Sequence, residues 1–152
     1  TDCMIVLLQV VLAIILANFY EWWAHKNILH LIGKTKNSFW SFHWSDHHKA
    51  CNQNHNRDDK VYVKEILVLI LAVAAHFPVY WLSPVCFFTL VVYAVAYYFV
   101  HRKAHKNPTW GKKYLKWHYD HHMGKDQDAN WCILFPFFDY VMCTRVECNS
   151  DY

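Results

Sequence analysis

The chain has 152 residues, of which 55% are hydrophobic and 18% aromatic, and its formal net charge is +3. This length predicts a single domain over residues 1–152 with no internal repeat. The basic residues are interleaved with aromatic ones beside apolar segments, which favours an anionic membrane surface over nucleic acid as a partner. The six cysteines form no CxxC pair, so we expect free thiols rather than disulfides or a cysteine metal site.

Two long apolar segments predict membrane-spanning helices. Residues 3–20 carry no charge, and residues 66–100 carry none apart from the ionisable His76. A span needs roughly 20 apolar residues, so the first segment is one span, and it lacks the basic start of a cleaved signal peptide. Because proline stops a helix, Ser83-Pro84 should divide the second segment into a helical hairpin. The arms of this hairpin are residues 66–82 and 85–100.

The basic residues predict how these spans are oriented. All fifteen lysines and arginines lie in residues 26–64 and 102–145, and such loops stay on the cytoplasmic side. We therefore predict a multi-pass integral membrane protein, with both polar segments in the cytoplasm and residues 83–84 at the opposite face. The expected fold class is an all-α helical bundle of about three spanning helices, with cytoplasmic and interfacial helices attached.

The two polar segments carry start and stop signals for further helices. The helix of the first span should continue to Gly33, which can end it. Asp58 or Asp59 is a plausible cap for the ascending arm of the hairpin. Asn107-Pro108 predicts a helix that runs to Met123, because asparagine caps helices and proline is tolerated in their first turn.

Ten of the twelve histidines fall into four short clusters at the ends of apolar segments or just beyond them. They are His25 and His30; His43, His47 and His48; His101 and His105; and His118, His121 and His122. Residues advance by about 100° around an α-helix, so the last two clusters lie within arcs of about 40° and 100°. The first two spread over about 140°, so they need a local distortion of the helix or ligands reaching from the edges of a face. Because neutral imidazole is the commonest metal-binding side chain, we predict two metal ions at the membrane surface with five imidazoles each.

Several other polar residues lie near these clusters. Glu21 lies one turn before His25 on the same helix face and is expected to orient its ring. Asp46 and Asp120 lie inside the clusters but point away from the histidine arcs, so we expect both to be exposed. His76, inside a span, either contacts a substrate or satisfies a backbone carbonyl near Pro78.

The segment HRKAHKNPTWGKKYLKWHYDHH, followed by NW, a proline-aromatic run and FDYVMCTR, resembles the membrane-bound fatty acid hydroxylase superfamily. This superfamily includes sterol desaturases, sterol methyl oxidases and carotenoid hydroxylases. The boxes H-x4-H, H-x3-HH, H-x3-H and H-x2-HH are highly specific together, and the similarity covers roughly residues 17–146. The resemblance implies a dinuclear centre of two iron ions that uses dioxygen to oxidise a lipid C–H bond, with the ten clustered histidines as ligands and Asn130 and Asp139 as supporting residues. This chain departs from the superfamily pattern in two respects. It has three predicted spans where relatives commonly show four, and it has Cys143 where a glycine before Thr144 is usual.

The expected function is hydroxylation or desaturation of a fatty acyl, sterol or isoprenoid chain. Zinc or another transition metal also suits the all-imidazole set. The chain has no electron-storing motif and is too short for a reductase domain, so electrons would come from a separate donor protein. The alternative is a non-catalytic metal-binding subunit of a larger membrane complex, favoured by the small size and the missing fourth span. In the leading hypothesis the lipid tail enters a tunnel beside Trp44 and Trp117, and the tunnel is lined by His76, Phe87, Tyr93, Tyr97 and Phe99.

Overall fold

The computed structural model describes residues 2–148, and within this range the chain is helical and contains no strand. The all-α fold is therefore confirmed. In chain order, the elements are α1 (Asp2–Ala24), the π-helix π1 (His25–Ile32), the π-helix π2 (Phe42–His48), α2 (Lys49–Gln53), α3 (Val63–Ala75), α4 (Pro78–Leu82), α5 (Pro84–Lys106), α6 (Pro108–Tyr114), α7 (Lys116–Met123) and α8 (Phe137–Val141).

Among the residues that the structure describes, three helical stretches are long and apolar enough to cross a membrane, as the sequence predicts. They are Asp2–Ile32, Val63–Leu82 and Pro84–Lys106. The first is α1 continued into π1, the second is α3 with α4, and the third is α5. Many of their apolar side chains face outward; Leu82, for example, is 87% exposed. A helix that is hydrophobic on all sides and unburied by protein is typical of a membrane span.

The hairpin turn lies where the sequence places it. Ser83 has an extended backbone, and its side chain accepts a hydrogen bond from the backbone nitrogen of Cys86 at 3.1 Å. Pro84 occupies the first turn of α5, where its missing N–H costs nothing. The local chemistry of serine and proline therefore separates the second span from the third.

The second span has a further break that we did not predict. α3 ends at Ala75 and α4 begins at Pro78, because proline has no N–H to continue the helical ladder. His76 lies in this break, and its Nδ1 donates a hydrogen bond to the Ala72 carbonyl one turn earlier, at 2.7 Å. The imidazole thus contacts a backbone carbonyl, but not one that Pro78 leaves without a donor, because the Ala72 carbonyl also accepts from the backbone nitrogen of His76 at 3.2 Å.

Two spans run parallel, and this brings the histidines to one end of the bundle. The Cys86 thiol lies 3.6 Å from the Gln9 carbonyl, and the Asn18 amide donates to the Tyr93 hydroxyl at 3.0 Å. The C-terminal ends of α1 and α5 therefore lie side by side. α3 runs the opposite way, so that Glu65 in its first turn lies beside the end of α5.

Two predictions about the polar segments are wrong. Neither Asp58 nor Asp59 caps α3, which begins at Val63 without a side-chain cap. The helix predicted from Asn107 to Met123 is broken at Leu115, whose backbone (φ −128°, ψ 49°) is not helical. The ends of that stretch are correct.

Candidate metal centre

The two clusters with wide arcs lie in π-helices. In a π-helix, hydrogen bonds join residues five apart, so residues i and i+5 lie roughly one above the other. His25 and His30 have this spacing in π1, and His43 and His48 have it in π2. The predicted helix distortion is therefore present, and it aligns four rings that an α-helix would spread apart.

The ten rings gather into two adjacent groups. The first group is His25, His30, His43, His48 and His121, and the second is His47, His101, His105 and His122. Within each group one nitrogen from every ring lies within 4.8 Å of the others, which is compatible with ligands of a single ion. The remaining ring, His118, lies beside the second group, with its Nε2 2.9 Å from Nε2 of His105.

Each His-His pair divides its two rings between the groups. His48 and His121 belong to the first group, whereas their sequence neighbours His47 and His122 belong to the second. The rings of His48 and His122 nevertheless have centroids only 4.2 Å apart. Adjacent helical residues point about 100° apart, so one helix can contribute to two neighbouring sites. The two neighbouring groups could therefore hold two metal ions side by side.

Seven of the ten rings hydrogen-bond through Nδ1 to an acceptor outside the groups, at 2.6 to 3.3 Å. The acceptors are the backbone carbonyls of Asn56, Ala129 and Trp131, the carboxylates of Asp58, Glu65 and Asp128, and the amide oxygen of Gln127. None of these atoms can donate, so Nδ1 carries the proton in each of the seven rings. The lone pair of each neutral ring is consequently on Nε2.

These lone pairs point at one another, an arrangement that is unfavourable unless a cation lies between them. The Nε2 atoms of His30 and His121 each lie 3.1 Å from Nε2 of His48, with no proton available between them. Several other buried ring nitrogens have no hydrogen-bond partner among residues 2–148; they are Nε2 of His47 and His101, Nδ1 of His118 and both nitrogens of His122. Buried polar atoms without partners are costly. Bound cations would satisfy them, so this donor set fits metal ions.

Burial also keeps the rings in the metal-binding form. It lowers the pKa of His48 to about 3. It lowers the pKa of five other rings outside the spans well below the usual histidine value; these are His43, His47, His118, His121 and His122. Charging one ring would also repel its neighbours. These six rings therefore stay neutral at physiological pH, and a neutral imidazole is the form that binds a metal.

The three predicted supporting residues all act on one loop, residues 129–134. Glu21 accepts hydrogen bonds from the backbone nitrogens of Ile133 and Leu134. Asp139 accepts from those of Trp131 and Cys132, both at 2.8 Å. The loop in turn places the carbonyls of Ala129 and Trp131 against His121 and His25. Glu21 and Asp139 thus reach the histidines through the loop rather than by direct contact.

Asn130 lies between those two carbonyls and joins the loop to the C-terminal segment. Its backbone has a positive φ of 59°, a conformation that asparagine tolerates better than most residues. Its side chain accepts from the backbone nitrogen of Val146 and donates to the Val146 carbonyl, both at 2.8 Å. The C-terminal segment therefore fixes the turn that presents both carbonyls.

We did not predict that three carboxylates contact the histidines, and we wrongly expected a fourth, Asp120, to be exposed. Asp58, Glu65 and Asp128 contact His47, His101 and His30, although nothing in their local sequence marks them as partners. A usable signal would have been that acidic residues flank the end of the spans where the histidines gather. Asp46 is exposed as predicted, but Asp120 is 1% exposed because it binds Lys116 at 2.7 Å and Arg145 at 3.2 Å.

A cavity of about 530 Å³ extends from the histidines into the apolar interior between α1, α3 and α5. Its histidine end includes His25, His43, His47 and His101. Four of the five predicted tunnel residues line it, namely His76, Phe87, Tyr93 and Tyr97. Phe99 does not, because it points outward and is 66% exposed.

Of the two tryptophans expected to wall the site, Trp44 packs directly on the first group. Its ring centroid lies 5.2 Å from that of His30 and 5.0 Å from that of His48. Trp117 instead donates from Nε1 to the Ile133 carbonyl at 2.8 Å. It therefore holds the same loop as Glu21.

Comparison with known proteins gives one match. A family model described as fatty acid hydroxylase matches residues 10–144, a range that contains all ten clustered histidines. Searches of curated proteins and of solved structures find no match to this chain.

Proposed function

The chain belongs to the fatty acid hydroxylase family, and from this premise we propose that it hydroxylates or desaturates a membrane lipid at a pair of histidine-bound metal ions. The ions are iron in the cell, and the second ion has His118 as a further ligand. When bound, the metal pair supplies the site at which dioxygen is reduced and a C–H bond is oxidised. The protein's own residues hold the ions, position the lipid and exclude water.

The observation that carries this proposal is the cavity that joins the histidines to the membrane interior. Glu65 lies at its histidine end and His76 lies eleven residues further along the span, a rise of roughly 16 Å for a helix. Most of the lining between them is apolar, including Leu69 and Val91. An apolar channel of this kind holds a hydrocarbon chain without polar recognition and keeps its target carbon close to the reactive site.

The lining also supports a role for the chain's own residues in this proposal. Apolar side chains exclude water from the reaction, which protects the protein and the reactive species from side reactions. On the second span, His76 is the polar lining residue eleven positions beyond Glu65. Its ring packs against Tyr20 at a centroid distance of 5.1 Å. In the proposal these two residues contact the far end of the lipid chain.

Two further parts of the proposal concern partners and orientation. The substrate is a fatty acyl, sterol or isoprenoid lipid, and a separate protein supplies the electrons that the reduction of dioxygen needs beyond those taken from the lipid. Hydroxylation places one oxygen atom in the product and reduces the other to water, whereas desaturation reduces both to water. The histidines and both basic segments lie on the cytoplasmic side. The support for this orientation is the confinement of all fifteen lysines and arginines to these segments.

The central test is lipid oxidation by the purified protein in lipid nanodiscs. Metal analysis should give about two ions per chain, and mass spectrometry should show an alcohol or alkene that requires both oxygen and an electron donor. His47→Ala and His101→Ala should abolish the product, whereas His55→Ala, in an exposed loop, should leave it unchanged.

A second test separates the cavity from the metal site. Ala94 lines the cavity, so Ala94→Trp should block lipid oxidation without changing the metal content. Val92→Trp is the matched control, because Val92 is on the same helix but is 67% exposed. If metal-loaded wild-type protein oxidises no lipid with several electron donors, the non-catalytic subunit becomes the better proposal. The presence of three spans favours that alternative.

A further inference from the structure

The two histidine groups differ in the charge behind their rings. In the second group, the Asp58 carboxylate accepts from Nδ1 of His47 at 2.8 Å, and the Glu65 carboxylate accepts from Nδ1 of His101 at 2.9 Å. The side chains of Asp58 and Glu65 are only 1% and 12% exposed. Nε2 of both histidines is buried without a partner. Each ring thus has a carboxylate on one nitrogen and a free lone pair on the other.

The first group is supported mostly by neutral atoms. The backbone carbonyls of Trp131 and Ala129 and the Gln127 amide oxygen hold three of its rings. A carboxylate also contacts this group: Asp128, which is 56% exposed, accepts from His30 and is shared with Lys34 at 2.6 Å. Water and a lysine therefore reduce the charge that Asp128 presents to the metal position.

Nothing comparable neutralises the carboxylates of the second group. Within residues 2–148, neither Asp58 nor Glu65 forms an ion pair with a lysine or an arginine. The buried Arg102 lies nearby, but it donates to the backbone carbonyls of Asp58 and Asp59, at 3.4 and 2.9 Å, rather than to a carboxylate. Neither carboxylate is therefore held in a direct ion pair with a basic side chain in this part of the chain, and each lies behind a ring whose Nε2 is free.

We propose that the two metal positions bind with unequal affinity, and that Asp58 and Glu65 make the second group the tighter one. A carboxylate that accepts the Nδ1 proton makes the opposite nitrogen a stronger donor and fixes the orientation of the ring. Its charge also attracts a divalent cation across an interior of low dielectric constant. Removing such a partner typically lowers metal affinity 10- to 100-fold. The second group consequently fills first, and a protein with one ion is a defined species.

The test is a titration of the metal-free, full-length protein in nanodiscs with Co²⁺, followed by its visible absorption and by competition with a chelator. This inference rests on the metal centre of the proposed function but not on lipid turnover. Wild-type protein should bind Co²⁺ in two separate steps. Glu65→Gln and Asp58→Asn should each weaken the tighter step by about 10- to 100-fold and leave the weaker step unchanged. The matched control, Asp128→Asn, should leave the tighter step unchanged.

A folding defect can be distinguished from a loss of metal binding. Asp58 also accepts from the Tyr62 hydroxyl at 2.8 Å, so Tyr62→Phe removes that contact while keeping the one to His47, and it should bind Co²⁺ like wild type. If Asp58→Asn does not fold, the Glu65→Gln variant decides whether the proposal holds, because the Glu65 side chain accepts its hydrogen bond from His101.

Equal wild-type steps, or an Asp128→Asn variant that weakens the tighter step, would overturn the proposal. Lipid oxidation together with two equal steps would refute this inference alone. Two unequal steps that respond to Glu65→Gln in a protein that oxidises no lipid would refute only the enzymatic function.

Discussion

Replacing Asp139 by alanine should destabilise the protein and weaken metal binding, although Asp139 contacts no histidine. Its side chain is fully buried and accepts three hydrogen bonds of 2.8 Å, from the backbone nitrogens of Trp131 and Cys132 and from the Thr144 hydroxyl. Alanine leaves two buried N–H groups without an acceptor, and each costs about 1–3 kcal/mol. We therefore expect the free energy of unfolding to fall by about 2–5 kcal/mol.

The effect on metal binding follows from the same loop. The Trp131 carbonyl accepts from Nδ1 of His25 at 2.6 Å, so a loosened loop no longer orients that ring. The loss of such a contact should lower metal affinity by at least about 10-fold. Thermal unfolding of the metal-free protein and Co²⁺ competition measure the two effects separately. Asp46→Ala, an exposed carboxylate inside a histidine cluster, should change stability by less than about 0.5 kcal/mol. An Asp139→Ala variant with wild-type stability and metal affinity would refute this account of the loop.

Three further predictions concern pH, backbone strain and topology. Lowering the pH from 7 to 5 should destabilise the metal-free protein by about 2 kcal/mol through His48 alone. The pKa of His48 is about 3 in the folded state and about 6.5 in the unfolded state, so the stability present above pH 6.5 is lost on acidification. An unfolding temperature that does not fall over this pH range would contradict the prediction. Cys143 has a φ of 54°, so Cys143→Gly should stabilise the fold by about 0.5–1 kcal/mol in denaturation experiments, whereas Cys143→Ala should give no gain. A thiol introduced as Ser83→Cys should react with an impermeant reagent added from the non-cytoplasmic side; reaction from the cytoplasmic side alone would reverse the proposed topology.

Features that depend on local chemistry were predictable from the sequence. Ser83-Pro84 interrupts the helix of the second apolar segment whatever the surrounding fold, and the helix is interrupted there in the structure. The angular spread of His25 and His30 predicted either a distorted helix or ligands reaching from the edges of a face, and π1 is the distortion. The resemblance implies a glycine at position 143, and Cys143 has the positive φ that glycine adopts most easily, although we did not predict this conformation.

Features that depend on distant parts of the chain were not predictable in the same way. Asp120 is buried because Arg145, 25 residues further on, reaches it from the C-terminal segment. The contact of Asp58 with His47 depends on how the linker between them folds back against α5. No proline or glycine lies next to Leu115, so the local sequence does not predict the helix break there. Packing rather than local preference determines the position of this break.

The π-helices make the metal centre sensitive to chain length as well as to residue type. The interval between His25 and His30, and that between His43 and His48, is five residues, which matches the hydrogen-bond period of each segment. Deleting any one residue inside either interval would bring the histidines to the four-residue period of an α-helix. Every residue beyond the deletion would then turn by about 100° relative to the preceding span. A variant with all ten histidines intact would thereby lose the register on which their convergence depends.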